Sequence, residues 1–185
     1  MKLIIFDIDG TLTNTKEVDD QCFIKAFDAT FQLDIKNQVW ASLKNVTDWG
    51  ITEEIINQRL NRKPTKEEYQ IMHDNHVANL RAEKIRDATQ FEAVLGVNEF
   101  IHGLDNNKFS IGLATGAWEK SALLKLEVIG LDAPKIPFSN SDYHKTREAI
   151  TLHTIQQAKS RYQQDFDEII SVSYTHLTLP TICSV

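Results

Sequence analysis

Close to its first residue the chain has an unbroken apolar run, Leu3-Ile-Ile-Phe6, followed directly by Asp7-Ile-Asp9-Gly10-Thr11. A strand that is apolar on both sides is typical of the middle of a parallel sheet with helices on each face. Open α/β sheets place their ligands at the carboxyl ends of such strands. The run therefore predicts a central strand, and the two carboxylates after it are candidates for a ligand site.

An Asp-x-Asp-Gly segment has two interpretations. It is typical of a solvated turn, because Asp and Gly both favour turns. Here Asp7 and Asp9 follow a predicted buried strand and precede Gly10 and Thr11, and this context favours a functional pair of carboxylates.

The segment resembles motif I of the haloacid dehalogenase (HAD) superfamily, Asp-x-Asp-Gly-Thr, with matches at Asp7, Asp9, Gly10 and Thr11. The resemblance implies that Asp7 is a nucleophile that forms an aspartyl-phosphate. It implies that Asp9 protonates the leaving oxygen and then activates water. It also implies a Mg²⁺ cofactor held at Asp7 and Asp9, because the charge of the phosphate must be neutralised before a carboxylate attacks it.

Composition restricts the class of protein further. The 185 residues suffice for one sizeable domain or a core with a small insertion, and a net charge of -6 argues against a nucleic-acid binder. Two cysteines, Cys22 and Cys183, do not make a disulfide framework. Neither a signal segment nor an apolar run long enough to cross a bilayer is visible, so we expect a cytoplasmic protein without a membrane partner.

Helical patterns fill residues 15–88, between the first strand and the next strand signal. A simple βαβ crossover needs far fewer residues. We therefore predict an α/β fold, a Rossmann-like parallel sheet with an inserted helical cap, in which residues 1–14 and 89–170 form the core and residues 15–88 the cap. In the resembled superfamily a cap at this point covers the active site and selects the substrate.

Two features of the predicted cap leave alternatives open. The Thr47-Asp48-Trp49-Gly50 segment is similar to a loop of phosphoglycolate-phosphatase-like members that faces the active site, and it also fits an ordinary turn between helices. His73 and His76 have a spacing that suits metal ligands on a helix, but no third ligand is evident. We therefore expect both histidines to be at the surface or half-buried.

A second strand is predicted at Phe109-Ser-Ile-Gly-Leu-Ala114, followed by Thr115-Gly116. A Thr-Gly pair after a strand is a common turn. It also resembles motif II of the superfamily, a hydrophobic strand that ends in Ser or Thr. The resemblance implies that the Thr115 hydroxyl and the backbone N–H groups from Gly116 onward bind the transferred phosphoryl group.

Motif III of the superfamily is a Lys or Arg near the start of a later helix, where it offsets the charge of the nucleophile and the phosphate. A polar segment leads into a helix predicted from Glu148 to Tyr162, and the candidates are Arg147 and Lys145, with Lys120 less favoured. We prefer Arg147 because it adjoins the helix start. Each of the three also fits a surface cation.

Motif IV, one or two acids that bind Mg²⁺, is expected near Ser173 or Tyr174, after a strand that starts at Phe166. No Asp or Glu follows Glu168. We expect that residues 171–185 are an artefactual or disordered tail and that the chain is truncated before motif IV, although a divergent terminus is the alternative. Mg²⁺ affinity and phosphatase activity should then be impaired.

The predicted function is Mg²⁺-dependent hydrolysis of a small phosphate ester through an aspartyl-phosphate. A non-catalytic phosphate-binding protein is the main alternative. A phosphonatase or dehalogenase would also use Asp7, but dehalogenases do not need Asp9 as an acid and base. The long helical insertion argues against a receiver-type phospho-acceptor.

Overall fold

The computed structural model describes residues 1–131 and 135–173, which form a four-stranded parallel sheet with the strand order β3-β2-β1-β4. The strands are β1 Lys2–Phe6, β2 Phe109–Ala114, β3 Phe138–Ser139 and β4 Glu168–Val172. Phe6 pairs with Leu113 of β2 on one side and with Val172 of β4 on the other. The apolar run is therefore the central strand, as predicted.

Six α-helices lie in the described part of the chain: α1 Lys16–Phe31, α2 Asp48–Leu60, α3 Lys66–Arg86, α4 Val97–His102, α5 Glu119–Leu126 and α6 Arg147–Tyr162. The first three follow one another between β1 and β2 and are called the inserted helices below. None of the helices in residues 1–131 and 135–173 is long and apolar enough to span a membrane.

Alternate residues of β1 pack on opposite faces of the sheet, since side chains of a strand alternate in direction. Ile4 and Phe6 pack in one apolar cluster with Leu126 of α5, and Leu3 and Ile5 pack in another with Ile150 of α6. Every residue of the run is at most 4% exposed. The α/β prediction with helices on both faces of a parallel sheet is therefore confirmed.

The inserted helices have an apolar core of their own, which includes Phe23, Phe27, Ile55 and Met72. Trp118, the residue that precedes α5, packs into this core and stacks on Phe23 with a centroid distance of 5.9 Å. The inserted helices are therefore joined to the sheet layer by a buried aromatic contact as well as by the chain.

The predicted end of the core at residue 170 is too early. The strand β4 continues through Val172, because its pairing with β1 continues there and Asp7 N donates to Val172 O at 3.0 Å. Residues 171 and 172 therefore belong to the sheet and not to an atypical tail. Ser173 follows the strand, and the remaining residues of the predicted tail, 174–185, lie outside the described residues.

Candidate active site

The predicted site residues lie at one edge of the sheet. Asp7 follows β1, and Thr115 and Gly116 follow β2, and the two strands are parallel. A cavity of about 320 Å³ opens at this edge, between the strand ends and the inserted helices. Residues from both sides line it, among them Asp7, Asp9, Gly116, Arg147, Thr47 and Asp48.

Asp7 is held by polar groups and not by hydrocarbon. Its Oδ1 accepts hydrogen bonds from Ile8 N at 2.9 Å and from Arg147 Nη1 at 3.1 Å. Its Oδ2 accepts from the Ser173 hydroxyl at 3.3 Å. The side chain is 12% exposed. A carboxylate so oriented at a cavity wall, with a cation beside it, is placed to act as a nucleophile.

Arg147 is the first residue of α6, and it contacts both sides of the cavity. Its Nη1 binds Asp7, while its Nε donates to the carbonyl of Val46, which precedes α2, at 3.1 Å. Neither rival cation reaches the site: Lys145 Nζ binds Glu53 at 2.7 Å, and the exposed Lys120 is 3.9 Å from Asp74. The geometry favours Arg147 and does not support a phosphate-binding role for Lys145.

The glycine after Thr115 is required by the approach of Arg147. A Cβ at Gly116 would lie 2.6 Å from Arg147 Cζ and 2.7 Å from its Nε, closer than atoms pack in proteins. The guanidinium could move away only by giving up its contacts with Asp7 and Val46.

We expect Gly116→Ala to displace Arg147 and to weaken binding of inorganic phosphate by about tenfold, which corresponds to one charge-assisted hydrogen bond. The thermal midpoint should change little, because the displaced group is the end of a flexible side chain. Isothermal titration with phosphate and thermal unfolding measure the two effects. The control is Gly103→Ala, at a glycine beside α4 whose added Cβ would meet a backbone carbonyl and not Arg147. Unchanged phosphate affinity in Gly116→Ala would contradict the assignment.

Thr115 is 1% exposed, and its hydroxyl oxygen accepts a hydrogen bond from Ala117 N at 3.1 Å. The carbonyl of Gly116 accepts from Asp48 N at 2.8 Å. The loop after β2 is thus held by one hydrogen bond within the loop and by another from the start of α2. Its hydroxyl proton and its remaining backbone donors are the groups that a phosphoryl oxygen could use.

Asp9 is partly buried, with 19% of its side chain exposed, and both of its carboxylate oxygens have partners. Thr15 Oγ1 donates to Oδ1 at 2.6 Å, and Lys125 Nζ donates to Oδ2 at 2.6 Å. Burial raises the pKa of Asp9, and the positive charge of Lys125 opposes that effect without cancelling it. A carboxyl group with a raised pKa is suited to donate a proton.

Lys125 continues the contacts of Asp9 into the inserted helices. Its Nζ also binds Asp19 Oδ1 at 2.9 Å, and His76 Nε2 is 3.3 Å from the same oxygen. His76 Nδ1 is in turn 4.0 Å from Asp48 Oδ2. These residues are called the buried charge cluster: Asp9, Asp19, Asp48, His76 and Lys125.

The cluster contains three carboxyl groups and two cations, and its pKa shifts follow from that imbalance. Burial, together with the charge of Asp19, raises the pKa of Asp48 to about 7. Burial acts in the same way on Asp19, but Lys125 and His76 outweigh it and lower the pKa of that carboxyl. The pKa of Lys125 is raised because its two carboxylate partners outweigh its burial. At neutral pH the Asp48 carboxyl group is therefore partly protonated, whereas Asp19 is ionised.

We expect the free energy of unfolding to fall as the pH rises from 5 to 8. The folded protein keeps a proton on Asp48 up to a pH of about 7, whereas the unfolded chain releases it near pH 4. His76, whose pKa is also raised in the fold, acts in the same direction above pH 6.5, while the contribution of Asp19 is complete in this range. The fall should be on the order of 1–3 kcal/mol.

Urea unfolding at several pH values measures this slope. The matched variant is Asp48→Asn, whose amide oxygen can still accept the hydrogen bond that Trp118 N donates to Asp48 at 2.9 Å. A smaller slope is expected in the variant. An equal or steeper slope would show that Asp48 is not the group that titrates.

Sequence reasoning missed most of the buried charge cluster. The expectation that His76 is at the surface or half-buried is wrong, because its side chain is fully buried between α1 and α5. Lys125 lies in α5, the helix after β2, and was not singled out from the sequence. It shares the buried face of α5 with Ser121 and Ala122. A charged residue at an apolar position of the helical period was the available signal for both.

A parallel sheet with helices on both faces, and with a polar cavity at the ends of its two central strands, defines an α/β protein of the Rossmann-like class. A family model described as haloacid dehalogenase-like hydrolase matches residues 4–163, and the chain belongs to this family of hydrolases. The membership inferred from the residues of motif I is thereby confirmed.

Solved structures share the fold, and three of them show how similar they are to this chain. A hydrolase from Pseudomonas syringae has a TM-score of 0.70 and 19% identity, over 92% of this chain and 75% of its own. CbbY from Rhodobacter sphaeroides in complex with phosphate has a TM-score of 0.59 and 16% identity, over 98% of this chain and 91% of its own. A HAD hydrolase of family IA, variant 3, from Entamoeba histolytica has a TM-score of 0.58 and 16% identity, over 85% of this chain and 70% of its own. None of the curated proteins matches the chain.

Proposed function

We propose that the chain is a phosphomonoester hydrolase that forms an aspartyl-phosphate at Asp7, with impaired activity. The observation that carries the proposal is the contact of Asp7 with Arg147 at the end of β1, beside the loop that follows β2. The solved CbbY of Rhodobacter sphaeroides, which has the same fold, is in complex with phosphate. The cavity of about 320 Å³ suits a small ester.

In the first step an Asp7 oxygen attacks phosphorus, and the bond from phosphorus to the ester oxygen breaks. Arg147 balances negative charge on Asp7 and on the phosphoryl oxygens. The Thr115 hydroxyl and the loop after it bind the phosphoryl group. Asp9 gives its proton to the departing oxygen, which leaves as an alcohol.

In the second step water attacks the phosphorus of the aspartyl-phosphate. Asp9, now a carboxylate, takes a proton from that water, and the bond between phosphorus and the Asp7 oxygen breaks. Inorganic phosphate leaves, and Asp7 and Asp9 return to their starting states.

The cofactor that the family resemblance implies is Mg²⁺, which prefers six oxygen ligands and usually binds through one or two protein carboxylates. In residues 1–131 and 135–173 no group of three or more His, Cys, Asp or Glu side chains is arranged to hold a metal ion. Ser173 lies beside Asp7 where a second carboxylate would be needed. The described donors therefore do not make a complete magnesium site, and we propose that Ser173 at this position is the cause of the proposed impairment.

The inserted helices are proposed to be the cap. Their segment before and at the start of α2 contacts the core through several hydrogen bonds, which include Thr47 Oγ1 to Lys145 O at 2.7 Å, Asp48 N to Gly116 O at 2.8 Å and Trp49 N to Ser141 Oγ at 2.9 Å. The segment whose role the sequence left open thus lies on the cavity. In that position it can exclude water and contact the leaving group.

A non-catalytic phosphate-binding protein is the second candidate, because Ser173 replaces an expected acid while the phosphate-binding groups remain. A dehalogenase is less favoured, since it would not need the hydrogen-bonded Asp9.

The test is hydrolysis of p-nitrophenyl phosphate, phosphoglycolate and a panel of sugar phosphates, with and without added Mg²⁺, by the full chain. We expect slow turnover that increases with millimolar Mg²⁺. Binding of inorganic phosphate without any turnover would support the second candidate. Neither binding nor turnover would contradict both.

A further inference from the structure

Lys125 is a fully buried cation that the reaction described above does not use. It lies in the last turn of α5, and its side chain is 0% exposed. Removing a lysine from water is unfavourable unless charged partners compensate. Its two partners are Asp9 and Asp19, at 2.6 and 2.9 Å. The ammonium group therefore lies between Asp9, which is the proposed general acid and base, and Asp19 of α1.

Asp9 has two oxygens, and each has one partner. Thr15 and Lys125 bind different oxygens, so the plane of the carboxyl group is defined by both contacts. Thr15 immediately precedes α1, and Lys125 also binds Asp19 of α1. Both contacts of Asp9 thus depend on where α1 lies relative to the sheet.

We propose that Lys125 is a positioning residue that holds the Asp9 carboxyl group in the orientation needed for proton transfer and links that orientation to the seating of α1. The proposal extends the proposed phosphatase function, and its structural part can be tested without turnover. Lys125 does not contact the substrate. It acts through Asp9, because a general acid must lie within hydrogen-bonding distance of its target oxygen.

Loss of Lys125 alone would leave the partly buried Asp9 and Asp19 carboxylates without their cation, and such a change can unfold a protein. The main variant is therefore Lys125→Met combined with Asp19→Asn, which removes one cation and one anion together. The control is Asp19→Asn alone, which keeps the contact between Lys125 and Asp9. Both proteins are compared by circular dichroism, crystal structure and steady-state kinetics with p-nitrophenyl phosphate.

We expect the Asp9 carboxyl group to rotate away from its wild-type orientation in the double variant and to keep it in Asp19→Asn. Where turnover is measurable, kcat of the double variant should be at least about 30-fold below that of Asp19→Asn, with KM within about threefold, because positioned proton transfer contributes 10²–10⁴ in rate. An unchanged Asp9 orientation in the double variant, or equal kcat values in the two variants, would overturn the proposal.

If the double variant does not fold, the wild-type crystal structure and Lys125→Arg decide. A wild-type structure with Lys125 Nζ outside hydrogen-bonding distance of both Asp9 oxygens would overturn the proposal. So would Lys125→Arg with the Asp9 contact retained but kcat at least about 30-fold below that of the wild type. If the wild type does not hydrolyse any phosphate ester, the proposed function fails, and the Asp9 orientation still tests the role of Lys125.

Discussion

Ser173→Asp is expected to tighten Mg²⁺ binding by on the order of 10–100-fold and to raise Mg²⁺-dependent hydrolysis by at least as much. Phe6 pairs with Val172, so residue 173 lies beside Asp7, and the Ser173 hydroxyl is already 3.3 Å from Asp7 Oδ2. An aspartate there would supply the second carboxylate that Mg²⁺ commonly uses. Arg147 remains on the other oxygen of Asp7 and limits repulsion between the two acids.

The matched control is Ser173→Asn, which has the same size as the aspartate variant but no charge. Isothermal titration with MgCl₂ measures affinity directly, and initial rates with p-nitrophenyl phosphate measure turnover. If the aspartate variant binds Mg²⁺ no more tightly than the asparagine variant, then residue 173 is not the missing ligand and the proposed cause of the impairment is wrong.

Asp7→Asn should lower kcat for every phosphate ester by at least about 10³-fold, in the wild type and in Ser173→Asp. The amide has nearly the same size as the carboxylate. It cannot attack phosphorus to displace the alkoxide, and it cannot be regenerated as a free carboxylate in the second step. Labelling with a ³²P-phosphate ester and acid quenching should give a hydroxylamine-sensitive adduct in Ser173→Asp that is absent when Asp7 is also replaced.

A surface carboxylate provides the control for this experiment. Asp165 is 89% exposed and pairs with Lys159, which lies near the end of α6 opposite to Arg147. Asp165→Asn should leave kcat and the adduct unchanged. Turnover that persists in Asp7→Asn would show that another group attacks phosphorus, and the aspartyl-phosphate proposal would then fail.

Much of the sheet could be predicted because its signals are local. Leu3 to Phe6 is apolar at every position, and only a strand covered on both faces buries all of it. Arg147 was preferred among three cations because it adjoins the start of a helix, and it does bind Asp7. The end of the core was placed too early, at residue 170, since Ser171 and Val172 have no local pattern that assigns them to the strand and only their pairing with β1 does so.

The buried charge cluster could not be predicted in the same way. Its residues come from α1, α2, α3, α5 and the turn after β1, far apart along the chain. Each of them alone is a common surface residue. Lys125 and His76 become buried only because carboxylates from other elements lie within 4.0 Å of them and offset the cost of removing them from water.

The amino-acid sequence by itself determined the α/β class, the central strand, the carboxylate at its end and the family, because these depend on runs and spacings within a few residues. The sequence favoured Arg147 among three candidate cations, and the tertiary structure showed that it is Arg147 that binds Asp7. The tertiary structure alone decided that Ser173 lies beside Asp7 and that Lys125 joins Asp9 to α1. Those contacts depend on how the helices pack on the sheet, and packing brings together side chains that no local pattern relates.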